Sequence, residues 1–344
     1  MKRHRLSPGP RHAKGFSLIE LMVSLTIGLI IAVAAGSAYL GSAGAGRIAE
    51  AQSRMNEDAQ AALNILAQQV REAGNNPLQS GDRDPPFRHN PIYDPTYVGG
   101  SYTYYGTPTY VFTSTTGFSV SAFSLRGCDG KFSDITTATK LDALTCAGGT
   151  TTLPDSIAVS YEADRYNTIP TASPSFAPTD CLGSELSTVS VTFPSGSATT
   201  ATYAVSDNRF YIGTSTAIVS PSLYCKGIGN VNPQPLVENV EDMQFTYGTV
   251  SSTNTSTTAT VAGYLTADEV VTDTNLALLP IEEQRWGKVL SVRICVLVRS
   301  ENPVAPDADS ARYDDCQGGR DVAAPDLRLR RAYSTTVVLR NRRS

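Results

Sequence analysis

The rhythm of apolar and polar positions changes twice along this chain. An apolar run extends from Phe16 through Leu40, and Glu20 is the one charged side chain between Phe16 and Ala45. A helix over 16–40, rising about 1.5 Å per residue, would span roughly 37 Å. That is enough to cross a hydrocarbon layer of about 30 Å with some tilt. From Arg47 to Ala73 the pattern becomes amphipathic, with Ile48, Met55, Ala59, Ala62, Leu63, Leu66 and Val70 near helical spacing. Gly74-Asn75-Asn76-Pro77 supplies the stop, glycine at the C-cap and proline just beyond. One helix over 16–73, about 87 Å long, is therefore expected. Gly28, Gly36, Gly41, Gly44 and Gly46 weaken its middle by up to about 1 kcal/mol each. They allow either close helix packing or a segment that bends or melts, and both readings stay open here.

After the helix the period shortens. Residues 75–100 hold five prolines among Asp, Asn and Gly, which reads as a long loop or linker. Strand-like runs then recur at Thr109–Thr113, Phe118–Leu125, Ile157–Tyr161, Thr188–Phe193, Ala201–Val205 and Asn208–Ile212. The alternation is plainest over Ser187–Phe193. Thr249–Thr260, mainly Ser and Thr, reads as an exposed loop or edge hairpin. The C-terminal third predicts a strand over Val237–Gly248, a longer one at Val289–Arg299 and a last one at Tyr333–Leu339. Glu282–Lys288 predicts a short helix or turn carrying the one tryptophan, Trp286, as a packing anchor. The class is α+β: a long N-terminal helix packed on an antiparallel sheet head.

Composition narrows the chemistry. At 41% hydrophobic and 17% charged, the 344 residues can bury a real core. Of three histidines, His4 and His12 lie in the first fifteen residues and only His89 follows. That excludes multi-histidine zinc sites and leaves one residue on which to build a triad. No nucleophile elbow, P-loop or H-E-x-x-H motif is present, so no enzyme is expected. Six cysteines stand at Cys128, Cys146, Cys181, Cys225, Cys295 and Cys316 without any C-x-x-C. An even number in an exported domain reads as three disulfides, with fifteen connectivities open. Pairing sequence neighbours gives Cys128–Cys146, Cys181–Cys225 and Cys295–Cys316, each contributing roughly 3–4 kcal/mol.

The charge distribution sets the direction of the first segment. Residues 1–15 carry Lys2, Arg3, Arg5, Arg11 and Lys14 and no acid, so this flank is expected inside and the head outside. Without those five the balance is 23 basic to 32 acidic side chains, −9, a poor phosphate binder. The small residue Gly15 precedes the apolar run, whereas a secretory signal is cut after it. Glu20 costs roughly 2.5–3.5 kcal/mol if carried to mid-bilayer, which a plain anchor has no reason to bear.

Gly15-Phe16-Ser17-Leu18-Ile19-Glu20 behind a basic leader resembles the class III signal of type IV prepilins. The resemblance implies cleavage between Gly15 and Phe16 by a prepilin peptidase and methylation of the new amine of Phe16. It further implies that Glu20 meets the N-terminal amine of a neighbouring subunit, and a buried carboxylate does need such a cation. Further on, Val237–Gln244, Trp286 with Val292-Arg293-Ile294, Arg299-Ser300 and Leu339–Arg342 are similar to the PilW family of minor pilins. Asp180–Gly183 and Leu223-Tyr224-Cys225 fit the same family and add to the reason for pairing Cys181 with Cys225. Residues 77–150 match no motif.

This resemblance implies a pilin-like fold in four parts. They are a leader over 1–15, a transmembrane and fibre-core helix over 16–40, its continuation over 41–74 and a periplasmic β-rich head over 75–344. The implied partners are other minor pilins, the major pilin, the prepilin peptidase, the inner membrane and a tip adhesin. The implied location is the bacterial inner membrane, with the N-terminus cytoplasmic, and then the pilus on the cell surface. Two alternatives stand beside it: a minor pseudopilin of type II secretion, and a tip adhesin using the Tyr-rich insertion 77–112. Asp307, Asp309, Asp314 and Asp315 near Cys316 could ligate calcium, but acids in loops more often stay solvated, and no cofactor is expected. The Arg340–Arg343 end reads as a solvated tail rather than a nucleic-acid contact.

Overall fold

The computed structural model describes residues 15, 17–75, 101–104, 107–111, 124–138, 141–148, 153–193, 199–216, 218–229, 232–251, 260–279 and 282–339. The chain divides into two compact units, Met1–Glu50 and Ala51–Ser344. Within the first, the described residues from Leu18 onward form one unbroken helix, exposed over nearly its whole surface. This helix, α1 (Leu18–Glu72), passes its glycines without a break.

The second unit begins inside the same helix. Met55, Ala59, Ala62, Leu66 and Val70 step along it by three or four residues, so they form one stripe, and all are buried. Gly74 ends the helix at φ 74°, a left-handed conformation that glycine adopts without a Cβ penalty. Its amide then donates to the Ser160 carbonyl at 2.9 Å, and the Glu162 amide donates to the Asn75 carbonyl at 2.9 Å. The chain leaving the helix is thus stitched to a sheet.

The strands follow in the order β1 (Ser101–Tyr104), β2 (Thr107–Val111), β3 (Leu125–Cys128), β4 (Ser156–Ala163), β5 (Thr188–Phe193), β6 (Thr199–Gly213), β7 (Ser222–Gly227), β8 (Gln234–Glu238) and β9 (Val240–Thr249). Then come β10 (Gly263–Leu265), the short helices α2 (Ala267–Thr272) and α3 (Glu282–Gly287), β11 (Val289–Arg299) and β12 (Arg330–Val338). All strand pairs are antiparallel. β1 and β2 pair alone; β3-β4-β6-β7-β8 form one sheet, with β5 on the outer half of β6; β10-β9-β11-β12 form another. A single residue, Asn239 at φ 62°, separates β8 in one sheet from β9 in the other. Both sheets and the buried stripe of α1 share one core, in which Trp286 is fully buried.

The α+β class and the antiparallel head are as the sequence pattern predicts, and several strands coincide with it. β5 and β11 have the expected bounds. Two expectations fail: the strand expected over Val237–Gly248 is broken at Asn239 between β8 and β9, which lie in different sheets, and Ala201–Val205 and Asn208–Ile212 are not two strands but parts of the single strand β6. Ser206 and Asp207 look like a polar break, yet both are buried, and the ladder with β4 runs through them as Tyr161↔Ser206 and Ser160↔Asp207. Arg209 meets Asp207 with two bonds of 2.8 and 2.9 Å, so the pair stays inside the sheet without an unpaired charge. β1, β7, β10 and α2 lie outside the expected elements altogether. The leader, Phe16, His89, most of the expected strand 118–125, residues 252–259 and Arg340–Arg343 lie outside the described residues.

Candidate functional site

The first turn of α1 holds the predicted docking residue, Glu20, and Gly15 of the predicted cleavage position lies ahead of the helix. Gly15 is exposed, and Ser17 precedes the helix directly. Glu20, the third helical residue, accepts a hydrogen bond from the Ser17 amide through Oε2 at 3.0 Å. A carboxylate there satisfies a backbone donor that no helical carbonyl can reach, and lies at the positive end of the helix dipole. Ser17-Leu18-Ile19-Glu20 has the spacing of a capping box, a signal legible in the sequence beside the cleavage motif. Among the described residues this is the one side-chain hydrogen bond that Glu20 makes.

The rest of the segment disposes of its polar groups locally. Ser24 Oγ donates to the Glu20 carbonyl, Thr26 Oγ1 to Val23 at 2.9 Å and Ser37 Oγ to Ala34 at 2.9 Å. Hydroxyls turned back on their own helix need no outside partner. Leu18, Ile19, Leu21, Met22, Leu25, Ile27 and Leu29–Ile31 remain exposed. The helix is long and apolar enough to cross a membrane.

In the head, the disulfides join Cys128 to Cys146, Cys181 to Cys225 and Cys295 to Cys316, at Cα separations of 5.6, 6.6 and 5.7 Å. These are the neighbour pairs. Each ties a long connection to a strand: the loop after β3 to its end, the loop before β5 to β7, and the loop after β11 to the middle of that strand. Trp286 packs edge-on against Tyr247 at 4.9 Å, and its Nε1 donates to Glu282 Oε1 at 3.3 Å. It is a core anchor.

The acids proposed as calcium ligands are occupied by their own turns. Asp307 accepts from the Ser310 amide at 2.8 Å, Asp314 from Asp321 at 3.0 Å, and Asp315 from Gln317 and Gly319 at 3.0 and 2.6 Å. Among the described residues no three His, Cys, Asp or Glu side chains converge on a point that could hold a metal.

Sequence reasoning missed the buried acids. Asp155 lies just ahead of β4, and its two oxygens accept from Gly130 at 3.0 Å and from Phe245 in β9 at 2.9 Å. It therefore bolts one sheet to the other. Burial, followed by the charges of Asp129 and Asp242, raises its pKa to about 7 against the opposing pull of the two amides. Asp129 accepts from Ala267 and Asp268 at 2.8 and 3.1 Å, capping the start of α2. Between them the Tyr247 hydroxyl is buried without a hydrogen-bond partner among the described residues. Burial and the same two acids push it well above its usual range. It presses on Gly127, where a Cβ would stand 1.9 Å from its oxygen, so only glycine fits. Nothing in the local sequence distinguishes Asp155 from the many surface aspartates, because burial is set by distant strands. These groups hold sheets and turns; they form no nucleophile-base pair.

Residues 209–341 match the family model for type IV pilus-assembly protein W, a structural pilus component rather than an enzyme family. Residues 10–36 match the prokaryotic N-terminal methylation motif, which takes in Gly15, Phe16 and Glu20. No curated protein and no solved structure matches the chain. The C-terminal match runs from β6 through β12, and the N-terminal match covers the first half of the exposed apolar helix. With a methylation motif at one end and a pilus-assembly match at the other, the chain is similar to the type IV pilus-assembly protein W family over residues 209–341 and carries a prepilin-type N-terminal signal.

Proposed function

We propose that the protein takes part in initiating assembly of a type IV pilus, within a complex of minor pilins at its tip. In this reading the prepilin peptidase removes residues 1–15 by cutting between Gly15 and Phe16, and the amine of Phe16 is then methylated. Residues 16–40 hold the subunit in the inner membrane with its N-terminus cytoplasmic and later pack in the fibre core. Residues 41–74 continue that helix, and the periplasmic head, 75–344, contacts the other minor pilins, the major pilin and a tip adhesin.

The observation that carries the reading is that a single carboxylate, Glu20, heads an apolar stretch otherwise uncharged from Phe16 to Ala45. An isolated charge in an apolar layer needs a cation. Glu20 has only a backbone amide as its described side-chain partner, and the amine freed at Phe16 of an adjoining subunit supplies what is missing. The family match favours a pilus over type II secretion.

The test is the mass of the mature N-terminus together with a gene deletion. A methylated Phe16 start and loss of pili with exoprotein secretion intact are expected. A chain still starting at Met1, or beginning beyond Leu40, overturns the processing step. Loss of secretion with normal pili would reassign the protein as a pseudopilin.

A further inference from the structure

Outside α1, most of the strongly exposed large apolar side chains of the described head are scattered singly, as on any soluble surface. One connection differs. The β4–β5 loop presents Tyr166, Ile169 and Phe176 at 79, 83 and 48% exposure. From residue 166 to 179 it carries no Asp, Glu, Lys, Arg or His, in a chain that is 17% charged.

A loose loop showing such groups would be unremarkable, but this one is braced. Asp164 accepts from the amides of Tyr166 and Asn167 at 2.7 and 2.9 Å, and the Thr168 hydroxyl returns to the Asp164 carbonyl at 2.6 Å. Further along, the Thr179 hydroxyl donates to the Ile169 carbonyl at 2.5 Å, and the Thr171 amide donates to the Ala177 carbonyl at 2.9 Å. Arg165 lies over the Tyr166 ring at 4.8 Å and donates to its hydroxyl at 2.6 Å, which fixes the ring in place. The Cys181–Cys225 bridge anchors the loop to β7. Its polar groups are spent on its own shape.

Phe176 adds strain. Its φ is 45°, a left-handed conformation that a bulky aromatic residue rarely adopts. Burial of the ring does not compensate, because nearly half of it is in solvent. Backbone strain kept while the side chain faces outward is characteristic of binding loops. Rigid aromatic and aliphatic groups lose little conformational freedom on docking, so they serve as interface anchors.

We infer that the loop segment 166–179 is a preformed docking element, and that its occupant is an uncharged, apolar surface on the head of a different pilin-type subunit. The inference rests on the pilus-assembly reading above, which supplies neighbouring heads; the absence of charge over residues 166–179, which carry the exposed apolar groups, selects an apolar partner surface over an acidic or basic one. Ile169 and Phe176 supply the buried anchors, and Tyr166 supplies an amphipathic rim.

A photoreactive benzoylphenylalanine placed at Ile169 of the full-length chain in piliated cells tests it. Val219, 81% exposed on the β6–β7 connection, is the control position. Mass spectrometry of the adducts should find peptides of another pilin-type subunit at 169, in at least fivefold excess over 219. Equal yields at both positions overturn the inference, as do adducts confined to lipid or to copies of this same chain. In parallel, Ile169→Asp should lower pilus number about tenfold or more, as loss of an interface anchor does, with the methylated Phe16 terminus, protein level and melting temperature unchanged. If deleting the gene abolishes pili and Ile169→Asp does not, the loop assignment fails alone. If the deletion leaves pili unaffected, the pilus reading itself fails.

Discussion

Two stretches of the same helix meet opposite fates. Leu25 and Ile30 lie in the first and are exposed; Leu66 and Val70 lie in the second and are buried without remainder. Their apolarity is similar, so intrinsic hydrophobicity does not separate them. What separates them is supply. Around residues 55–70 small residues, Ala59, Ala62 and Ala67, let the strands come close, and the head fills the space with its own side chains. Around residues 18–45 the described side chains stay exposed, and that half is long and apolar enough to cross a membrane. A helix can be locally uniform and still belong to two solvents.

The sharpest way to break this comparison is to truncate one leucine in each half. Leu66→Ala should lower the stability of the head by about 2–5 kcal/mol, while Leu25→Ala leaves the head transition unchanged. Denaturant melts of the full chain in detergent, followed at Trp286, would measure both, and equal effects would refute the division.

A second effect belongs to the head alone. Asp155 titrates near 7 in the folded head and near 3.8 when unfolded, so the folded state holds its proton more tightly between those values. Stability contributed by the protonated form is complete below about 4 and declines as pH rises towards 7, with a limiting slope of about 1.4 kcal/mol per pH unit. Asp155→Asn should flatten that slope in a pH series of melts. A head that grows steadily more stable from pH 4 to 7 would contradict the assignment.

In the other half, Glu20→Ala should leave cleavage and head stability intact. It should reduce incorporation into pili about tenfold or more, because the partner amine is left buried and unpaired. Quantitative blots of sheared fibres would show it, and undiminished incorporation would count against the charge pair. Smallest of all is Arg54→Ala near the junction. Its bond to Glu301 is 3.4 Å long between two well-exposed side chains, so a change within about 1 kcal/mol is expected from the same melts.

How far the residues announced this structure varied with how local the cause was. The helix, its Gly74 stop and strands β5 and β11 follow from periodicities carried by adjacent residues. The neighbour pairing of the cysteines follows the compact loops they close. The start of α2 is written locally as well: Thr266 and Glu269 form a capping box, with the Glu269 carboxylate accepting from the Thr266 amide at 2.9 Å. By sequence β6 reads as two strands, because the partners that make Ser206 and Asp207 welcome inside come from β4 and from Arg209. The bridging role of Asp155 was illegible, since its donors are Gly130 and Phe245. At the proposed assembly site, Glu20 stands out as the lone acid from Phe16 to Ala45, but its bond to Ser17 depends on the geometry of the turn.

Asn239 carries a last implication. The strand before it is laddered to β7 through Glu238↔Ser222, the strand after it to β11 through Val240↔Val298, and its own carbonyl takes the Arg299 amide at 3.0 Å. No slack remains on either side of that one left-handed joint. A displacement of β8 is thus passed through one residue to β9, and so to the core that the two sheets share with the buried stripe of α1.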